Sequence, residues 1–236
     1  MTVEEIVKVF YEFGDEKRLS ENLKWFRNCH GFEFDEAVSE ENLKCLEERF
    51  GEIPNGMREI YSICRNNINL ITCQDEWILP AFYKHWKWLC DYKGLVIANE
   101  NQGVCQAVIN ESDLEKENPP VYVITDGEEG GRLSTNSLDE FIKAFLVYQA
   151  SLCMPYSNAE FYFISEEEFE FIKSNLKEYD FKLTNWIVDG EIRLFYDTPG
   201  SVVCVFADDL QMNYGAMTEE AFNRLEEIIG DFGELM

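Results

Sequence analysis

The sequence predicts an α+β protein in which a mixed or antiparallel sheet is flanked by helices. A C-terminal β-α-β-β-β-α unit is expected to follow this sheet. Three observations favour this class: helix caps precede the apolar helices, a Gln102-Gly103 turn separates two apolar strands, and Asp189-Gly190 marks a second hairpin. With 46% hydrophobic residues, the chain of 236 residues can bury a packed core.

The N-terminal part, residues 1–35, is predicted to be a helical extension. Helices are expected at 3–13 and 20–29, separated by Gly14-Asp15, and Ser20 can cap the second. In the first helix, apolar residues recur at helical spacing and so predict one buried stripe, formed by Ile6, Val9, Phe10 and Phe13.

The central domain is expected at residues 36–152 and opens with two helices. Ser39 can cap a helix that runs to Phe50, and Gly51 followed by Pro54 ends it. The second helix carries an apolar stripe at helical spacing, formed by Met57, Ile60, Tyr61 and Cys64.

A tryptophan-rich connection joins these helices to the sheet. It is predicted to contain short strands near 70–73 and 77–79 and a helical turn around 82–88. Because tryptophan carries a large apolar ring, we expect at least two of its three tryptophans in the core. They are Trp77, Trp86 and Trp88.

The central sheet is predicted from three apolar strands and a closing helix. Gly103 can supply the positive φ that the turn between the first two strands needs. Ser137 and Glu140 match a capping box that starts the helix at 138–148. The strands are 95–100, 104–109 and 121–125.

The C-terminal unit is expected at residues 153–236, as a small domain or an extension of the sheet. Ser165 with Glu168 is a second capping box, and Thr218 can cap the last helix. That helix is expected to bury Phe222, Leu225, Ile228 and Ile229. The predicted strands are 161–164, 182–188, 192–196 and 202–206.

Three motifs of the central domain occur in a recognisable order. Phe50-Gly-Glu-Ile-Pro54 closes the first helix, and Tyr61 lies in the second. Glu100-Asn-Gln-Gly103 links two apolar strands, and Ser137-Leu-Asp-Glu-Phe141 starts the closing helix. In this order and spacing, residues 36–150 resemble the SUKH superfamily, which is named partly for yeast regulators of cell-wall synthesis.

The resemblance implies a binding protein and not an enzyme. Many bacterial members are immunity proteins, which neutralise a toxin made by the same lineage through stoichiometric binding. Many such toxins are nucleases with basic clefts, so the resemblance implies a cognate basic toxin as the partner and no cofactor. Two alternatives stay open: a regulatory adaptor that binds a client without silencing it, and a hydrolase that works through clustered carboxylates.

The chain is strongly acidic, with 46 acidic residues against 20 lysines and arginines and a formal charge of −26. Residues 152–236 carry 18 acids and 5 bases and so form the denser anionic region. This field repels phosphate backbones, so no nucleic-acid partner is expected, and it attracts basic protein surfaces. Solubility alone is the simpler explanation of the charge.

Acids interleaved with aromatic residues on predicted loops form the expected partner-binding surface. Tryptophan is a frequent binding hot spot, and carboxylates pair with lysine or arginine. The predicted partner-binding residues are Asp75, Glu76, Trp77, Glu100, Asn101, Asp126, Glu128 and Glu129.

The sequence offers little support for enzyme chemistry. The eight cysteines show no CxxC pair, which favours buried free thiols over a zinc site or disulfides, and no nucleophile motif accompanies His30 or His85. The Asp126–Gly131 segment is too acidic for a phosphate loop. Asp208-Asp209 lacks a third ligand at a suitable spacing, so no metal site is predicted.

Targeting signals are not apparent in the sequence. The acidic start Met-Thr-Val-Glu-Glu lacks the basic and apolar regions of a signal peptide, and no run approaches about 18 apolar residues. A cytoplasmic location without membrane contact is therefore expected, while the oligomeric state stays open.

Overall fold

The computed structural model describes residues 1–12, 16–125, 131–158 and 160–235. Antiparallel sheets flanked by helices confirm the predicted α+β class. No helix within these ranges combines the length and the apolar character that crossing a bilayer requires.

The chain forms two compact units whose boundaries differ from the predicted ones. One comprises Met1–Tyr11 with Glu140–Met236, and the other comprises Glu12–Asp139. The predicted division at 1–35, 36–152 and 153–236 is therefore corrected. Helix α1 (Val3–Phe10) joins the C-terminal unit because its apolar face is buried, and the neighbouring Tyr11 hydroxyl donates to the carbonyl of Leu146 at 2.6 Å.

The unit of residues 12–139 places helices around a five-stranded antiparallel meander. Its helices are α2 (Glu16–His30), α3 (Phe34–Ala37), α4 (Glu40–Phe50), α5 (Asn55–Asn66) and α6 (Phe82–His85). Its strands are β1 (Glu76–Trp77), β2 (Gly94–Asn99), β3 (Cys105–Asn110), β4 (Val121–Thr125) and β5 (Arg132–Thr135). They lie in the order β1-β2-β3-β4-β5, and short 3-10 helices occupy Ile68–Leu70, Lys87–Asp91 and Glu111–Asp113.

Local signals for α4 and α5 are confirmed. The Ser39 hydroxyl accepts a hydrogen bond from the Asn42 amide at 3.3 Å, and Gly51 ends α4 with a φ of 79°. The predicted stripe of α5 is buried, including the free thiol of Cys64.

The predicted strand at 70–73 is wrong. Ile68–Leu70 forms a 3-10 turn instead, which begins where the Asn67 side chain accepts a hydrogen bond from the Asn69 amide at 3.2 Å. Asparagine side chains favour such turns because they offer the backbone a local acceptor. The short strand predicted near 77–79 is present as β1.

The C-terminal unit contains α7 (Leu138–Cys153), α8 (Glu166–Asn175) and α9 (Glu219–Ile229). Its strands are β6 (Tyr156–Ser157), β7 (Tyr162–Phe163), β8 (Lys177–Glu178), β9 (Leu183–Thr184), β10 (Glu191–Tyr196), β11 (Ser201–Phe206), β12 (Gln211–Ala216) and β13 (Glu234–Leu235). These eight strands form one antiparallel sheet in the order β13-β7-β12-β11-β10-β8, with β6 beside β12 and β9 beside β10. Helices α8 and α9 pack against this sheet in one buried apolar cluster, which includes Ile172, Leu225 and Ile229 of the helices and Phe195 and Val203 of the strands.

The predicted caps of α8 and α9 are confirmed, whereas the central strand β12 was missed. Ser165 and Glu168 form a complete capping box, and the Thr218 hydroxyl accepts from the Ala221 amide. Strand β12 pairs with β11 through six registered positions, so pairing with a distant segment, and not its own composition, makes it a strand.

Candidate functional site

Three polar side chains lie side by side across the first three strands of the N-terminal sheet. Glu76 of β1 is opposite Asn99 of β2, and Asn99 is opposite Gln106 of β3. The Gln106 side-chain amide donates to Asn99 Oδ1 at 3.1 Å. Directly opposed residues project to the same face of a sheet, so these residues form a continuous polar ladder.

A chain of five aromatic rings runs beside this polar ladder. Consecutive ring centroids lie 5.8, 5.7, 5.9 and 6.0 Å apart, which is the spacing of favourable aromatic pairs. We call this set the aromatic row, and its members in order are Trp25, His30, Trp86, Trp88 and Tyr92.

The aromatic row is nearly closed to solvent at His30 and exposed at two other positions. Trp25 is 40% exposed and Trp88 is 36% exposed, whereas the His30 side chain is only 3% exposed. Phe82 lies 5.0 Å from the His30 ring and 4.3 Å from the Trp86 ring, so it holds both in place. The row therefore combines a rigid centre with two large rings at the surface.

Two contacts join the aromatic row to the polar ladder. His30 Nε2 lies 3.6 Å from Glu76 Oε1, and the Tyr92 hydroxyl donates to Gln106 Oε1 at 2.8 Å. Glu76 and Gln106 are the two outer members of the polar ladder. The aromatic row therefore contacts both ends of the ladder. These residues form the candidate functional site.

The electrostatics of the site centre on Glu76 and His30. Burial, reinforced by the neighbouring carboxylate of Asp75, raises the pKa of Glu76 to about 7. Burial lowers the pKa of His30 to about 4, so its imidazole is neutral at pH 7. His30 Nε2 has no hydrogen-bond partner among the described residues.

Several predicted partner-binding residues have a structural role instead. Asp75 is buried and accepts a hydrogen bond from the Asn101 amide at 3.3 Å. Glu100 is buried too, and its Oε2 accepts from the amides of Gln102 at 2.9 Å and Val104 at 3.1 Å. The prediction that Asp75 and Glu100 lie on a binding surface is therefore wrong: turn amides need acceptors, and these carboxylates supply them.

Trp77 is fully buried, so its prediction as a surface contact is also wrong. Trp86, by contrast, is partly exposed and Trp88 is exposed. The expectation that at least two of these tryptophans lie in the core is therefore not met.

The remaining predicted contacts have different outcomes. Glu76 is partly buried inside the site, and Asn101 is exposed at the turn beside it. Asp126, Glu128 and Glu129 lie outside the described residues. The sequence did not single out Trp25 or His30 as site residues, since both lie in a helix far from β1 along the chain.

Both histidines of the chain contact aromatic rings. His85 stacks on Phe32 with ring centroids 4.3 Å apart. All eight cysteines are free, and burial raises the pKa of the Cys204 thiol to about 12. Within the ranges that the structure describes, no three His, Cys, Asp or Glu side chains are grouped to hold a metal ion.

The chain matches no family model, no curated protein and no solved structure. The geometry of the aromatic row and the polar ladder therefore carries the functional argument.

Proposed function

We propose that this chain is a non-enzymatic protein-binding module, an immunity protein that neutralises a cognate toxin by stoichiometric binding. The observation that carries the proposal is the exposure of Trp25 and Trp88 on an otherwise packed aromatic row. Tryptophan is among the residues most enriched at the energetic centres of protein interfaces. Two exposed tryptophans that are joined by packed rings are well suited to anchor a partner.

The rigidity of the aromatic row supports a binding role. Trp86 packs against Phe82 at 4.3 Å, and Trp88 stacks on Trp86 at 5.9 Å with the ring planes 20° apart. Rings that are already held in position lose little conformational entropy when a partner docks. More of the contact energy is then available for affinity.

The charge of the chain supports a basic protein partner. A net charge of −26 attracts a basic surface over a distance and accelerates the encounter. The same field opposes the phosphate backbone of a nucleic acid. The resemblance of residues 36–150 to the SUKH superfamily favours a toxin as that partner.

The proposal is tested by affinity capture from lysate of the native cells with the tagged chain as bait. Mass spectrometry identifies the captured polypeptides, and each is then co-expressed with the chain. The expected result is one basic polypeptide whose toxicity the chain relieves. Recovery of several housekeeping proteins without toxicity would favour the adaptor function and contradict the immunity proposal.

Variants connect this result to the aromatic row. The double variant Trp25→Ala/Trp88→Ala is expected to lose at least about tenfold in partner affinity. Truncating a hot-spot residue commonly weakens the free energy of binding by about 2 kcal/mol or more. The matched control, Tyr156→Ala/Phe163→Ala, removes two exposed rings of the C-terminal unit. Equal loss in both variants would contradict a specific role of the row.

A further inference from the structure

Glu76 differs from the other partly buried carboxylates that form ion pairs. Its side chain is 19% exposed, and within the described residues its ion-pair contact is with His30 alone. Asp197 is 16% exposed and pairs with Arg224 at 2.7 Å, whereas Asp113 is 11% exposed and pairs with Lys116 at 2.5 Å. A carboxylate withdrawn from water is costly unless a cation or donors compensate it.

His30 does not supply that compensating cation. Burial keeps its imidazole neutral at pH 7, and its contact with Glu76 is longer than a hydrogen bond. The His30 side chain is almost completely buried and its Nε2 lacks a hydrogen-bond partner in the described part of the chain. The partly exposed carboxylate of Glu76 therefore has an unused capacity to bind a cationic ligand.

The rings beside Glu76 are suited to a cation. Trp25 and Trp86 both contact His30, at 5.8 and 5.7 Å, and Trp25 is open to solvent. The face of an indole ring attracts a cation within about 6 Å of its centroid. Because His30 contacts both of these rings and the Glu76 carboxylate, one residue links the rings to the carboxylate.

We propose that Glu76 and the aromatic row receive the guanidinium of an arginine side chain from the protein partner. This inference rests on the proposed protein-binding function, for which it names the contact that the partner makes. Arginine fits better than lysine because its planar guanidinium stacks on aromatic rings, is more weakly hydrated and can pair with a carboxylate through two donors. The donors of the guanidinium satisfy the carboxylate of Glu76.

Docking of this arginine is linked to the ionisation of Glu76. The groups that surround the carboxylate are neutral His30 from α2, the buried Asp75 that precedes β1, and Asn99 from β2. None of these three supplies a positive charge at pH 7, so the arriving guanidinium displaces the proton of Glu76 into solvent. Affinity therefore rises with pH through the region near 7.

Two lysines on neighbouring elements favour a different occupant. Lys24 and Lys87 are exposed, and neither forms an ion pair within the described ranges. They lie beside Trp25 and Trp86 in the sequence and would attract an acidic segment. Because an acidic segment cannot compensate Glu76, we favour arginine, and the experiment separates the two.

The test is an NMR titration that follows the indole N–H signals of the five tryptophans. The probe is acetyl-Gly-Arg-Gly-amide, and the matched neutral probe carries citrulline in place of arginine. We expect the arginine peptide to shift the signals of Trp25 and Trp86, with a Kd roughly tenfold lower at pH 8 than at pH 6, since Glu76 ionises between these values. Shifts with acetyl-Gly-Glu-Gly-amide but not with the arginine peptide would overturn the proposal.

Variants make the assignment specific. Glu76→Gln is expected to lose the pH dependence and at least about tenfold in affinity for the arginine peptide. Glu115→Gln is the matched control, since Glu115 is exposed and has no ion pair within the described ranges. Equal affinity of wild type and Glu76→Gln at pH 8, where Glu76 is ionised, would sink the inference, and the pH dependence of the wild type gives a second test that needs no variant.

Failure of this inference is distinguishable from failure of the proposed function. The peptide titration needs no toxin, so its outcome stands whether or not a toxin is found. If the captured toxin binds Glu76→Gln as tightly as wild type, the arginine contact is refuted while the immunity function stands.

Discussion

Glu76, in the unit of residues 12–139, differs from the paired carboxylates of the C-terminal unit. In the C-terminal unit, Asp197 accepts two hydrogen bonds from the Arg224 guanidinium, at 2.7 and 3.2 Å, and Arg193 Nε donates to Glu178 at 2.7 Å. In the unit of residues 12–139, the half-buried Glu76 contacts a neutral imidazole. Carboxylates that serve the fold are compensated inside the fold, so an uncompensated one points to a binding role.

Aromatic residues show the same contrast. Trp186 is fully buried, with ring centroids 5.3 Å from Phe145 and 6.3 Å from Phe141. Trp25 packs against the His30 ring, and 40% of the residue is exposed to solvent. Trp186 thus belongs to the core of its unit, whereas Trp25 has surface to offer to a partner.

Truncation of these two tryptophans is expected to give the largest difference in stability. Trp186→Ala should lower the free energy of unfolding by about 3–5 kcal/mol, because it removes a fully buried ring and leaves a cavity. Trp25→Ala should cost less than about 1 kcal/mol. Urea denaturation followed by circular dichroism measures both, and a similar cost at the two positions would erase the distinction.

Two glycine turns sharpen the comparison between the hairpins of the two units. Gly190 has a φ of 115°, and a Cβ there would lie 1.8 Å from Asp208 Oδ2. Gly103 has a φ of 75° with nothing within 4 Å of the corresponding Cβ. Gly190→Ala should therefore cost about 2–3 kcal/mol and Gly103→Ala about 1 kcal/mol. Thermal unfolding of both variants checks this order, and the reverse order would contradict it.

Because no cation within the described residues compensates the Glu76 carboxylate, we predict that Glu76→Gln stabilises the protein at high pH. The folded-state pKa of Glu76, about 7, lies above its ordinary value of 4.5, so the folded protein holds this proton more tightly than the unfolded chain does. Stability is therefore lost as pH rises from about 4.5 to about 7. Glu76→Gln should avoid this loss and gain on the order of 2 kcal/mol at pH 8.

Urea denaturation of wild type and Glu76→Gln at pH 5 and pH 8 measures this effect. His30 has the opposite pH dependence, since its lowered pKa costs stability as pH falls from 6.5 to about 4, but it is present in both proteins and cancels in the difference. Asp197→Asn, which breaks a compensated pair, should lower stability. A loss of stability in Glu76→Gln at pH 8 would contradict the account.

Much of the fold was predictable because its signals are local. The hydroxyls of Ser39, Ser165 and Thr218 cap helices within three residues of their own positions, and these caps are present as the sequence predicted. Strand β12 escaped prediction because Asn213 and Gly215 disfavour strands, and only registered pairing with β11 gives them that conformation.

The candidate site was less predictable because its contacts are distant in sequence. The sequence suggested Glu76, but it also suggested Asp75 as an exposed neighbour, whereas Asp75 is buried and accepts a hydrogen bond from the Asn101 amide. His30 and Trp86 come together through Phe82, and neither carries a local pattern that indicates the other. Burial and ring packing therefore had to be seen in the structure.

The central claim is that this chain acts by binding and not by turnover. The most direct test titrates the chain into a fixed amount of its captured toxin and measures residual toxin activity at each ratio. We predict that activity falls linearly and vanishes near one equivalent, with a weaker, curved response for Trp25→Ala/Trp88→Ala. Complete inactivation of the toxin by about a hundredth of an equivalent would show turnover and contradict the account.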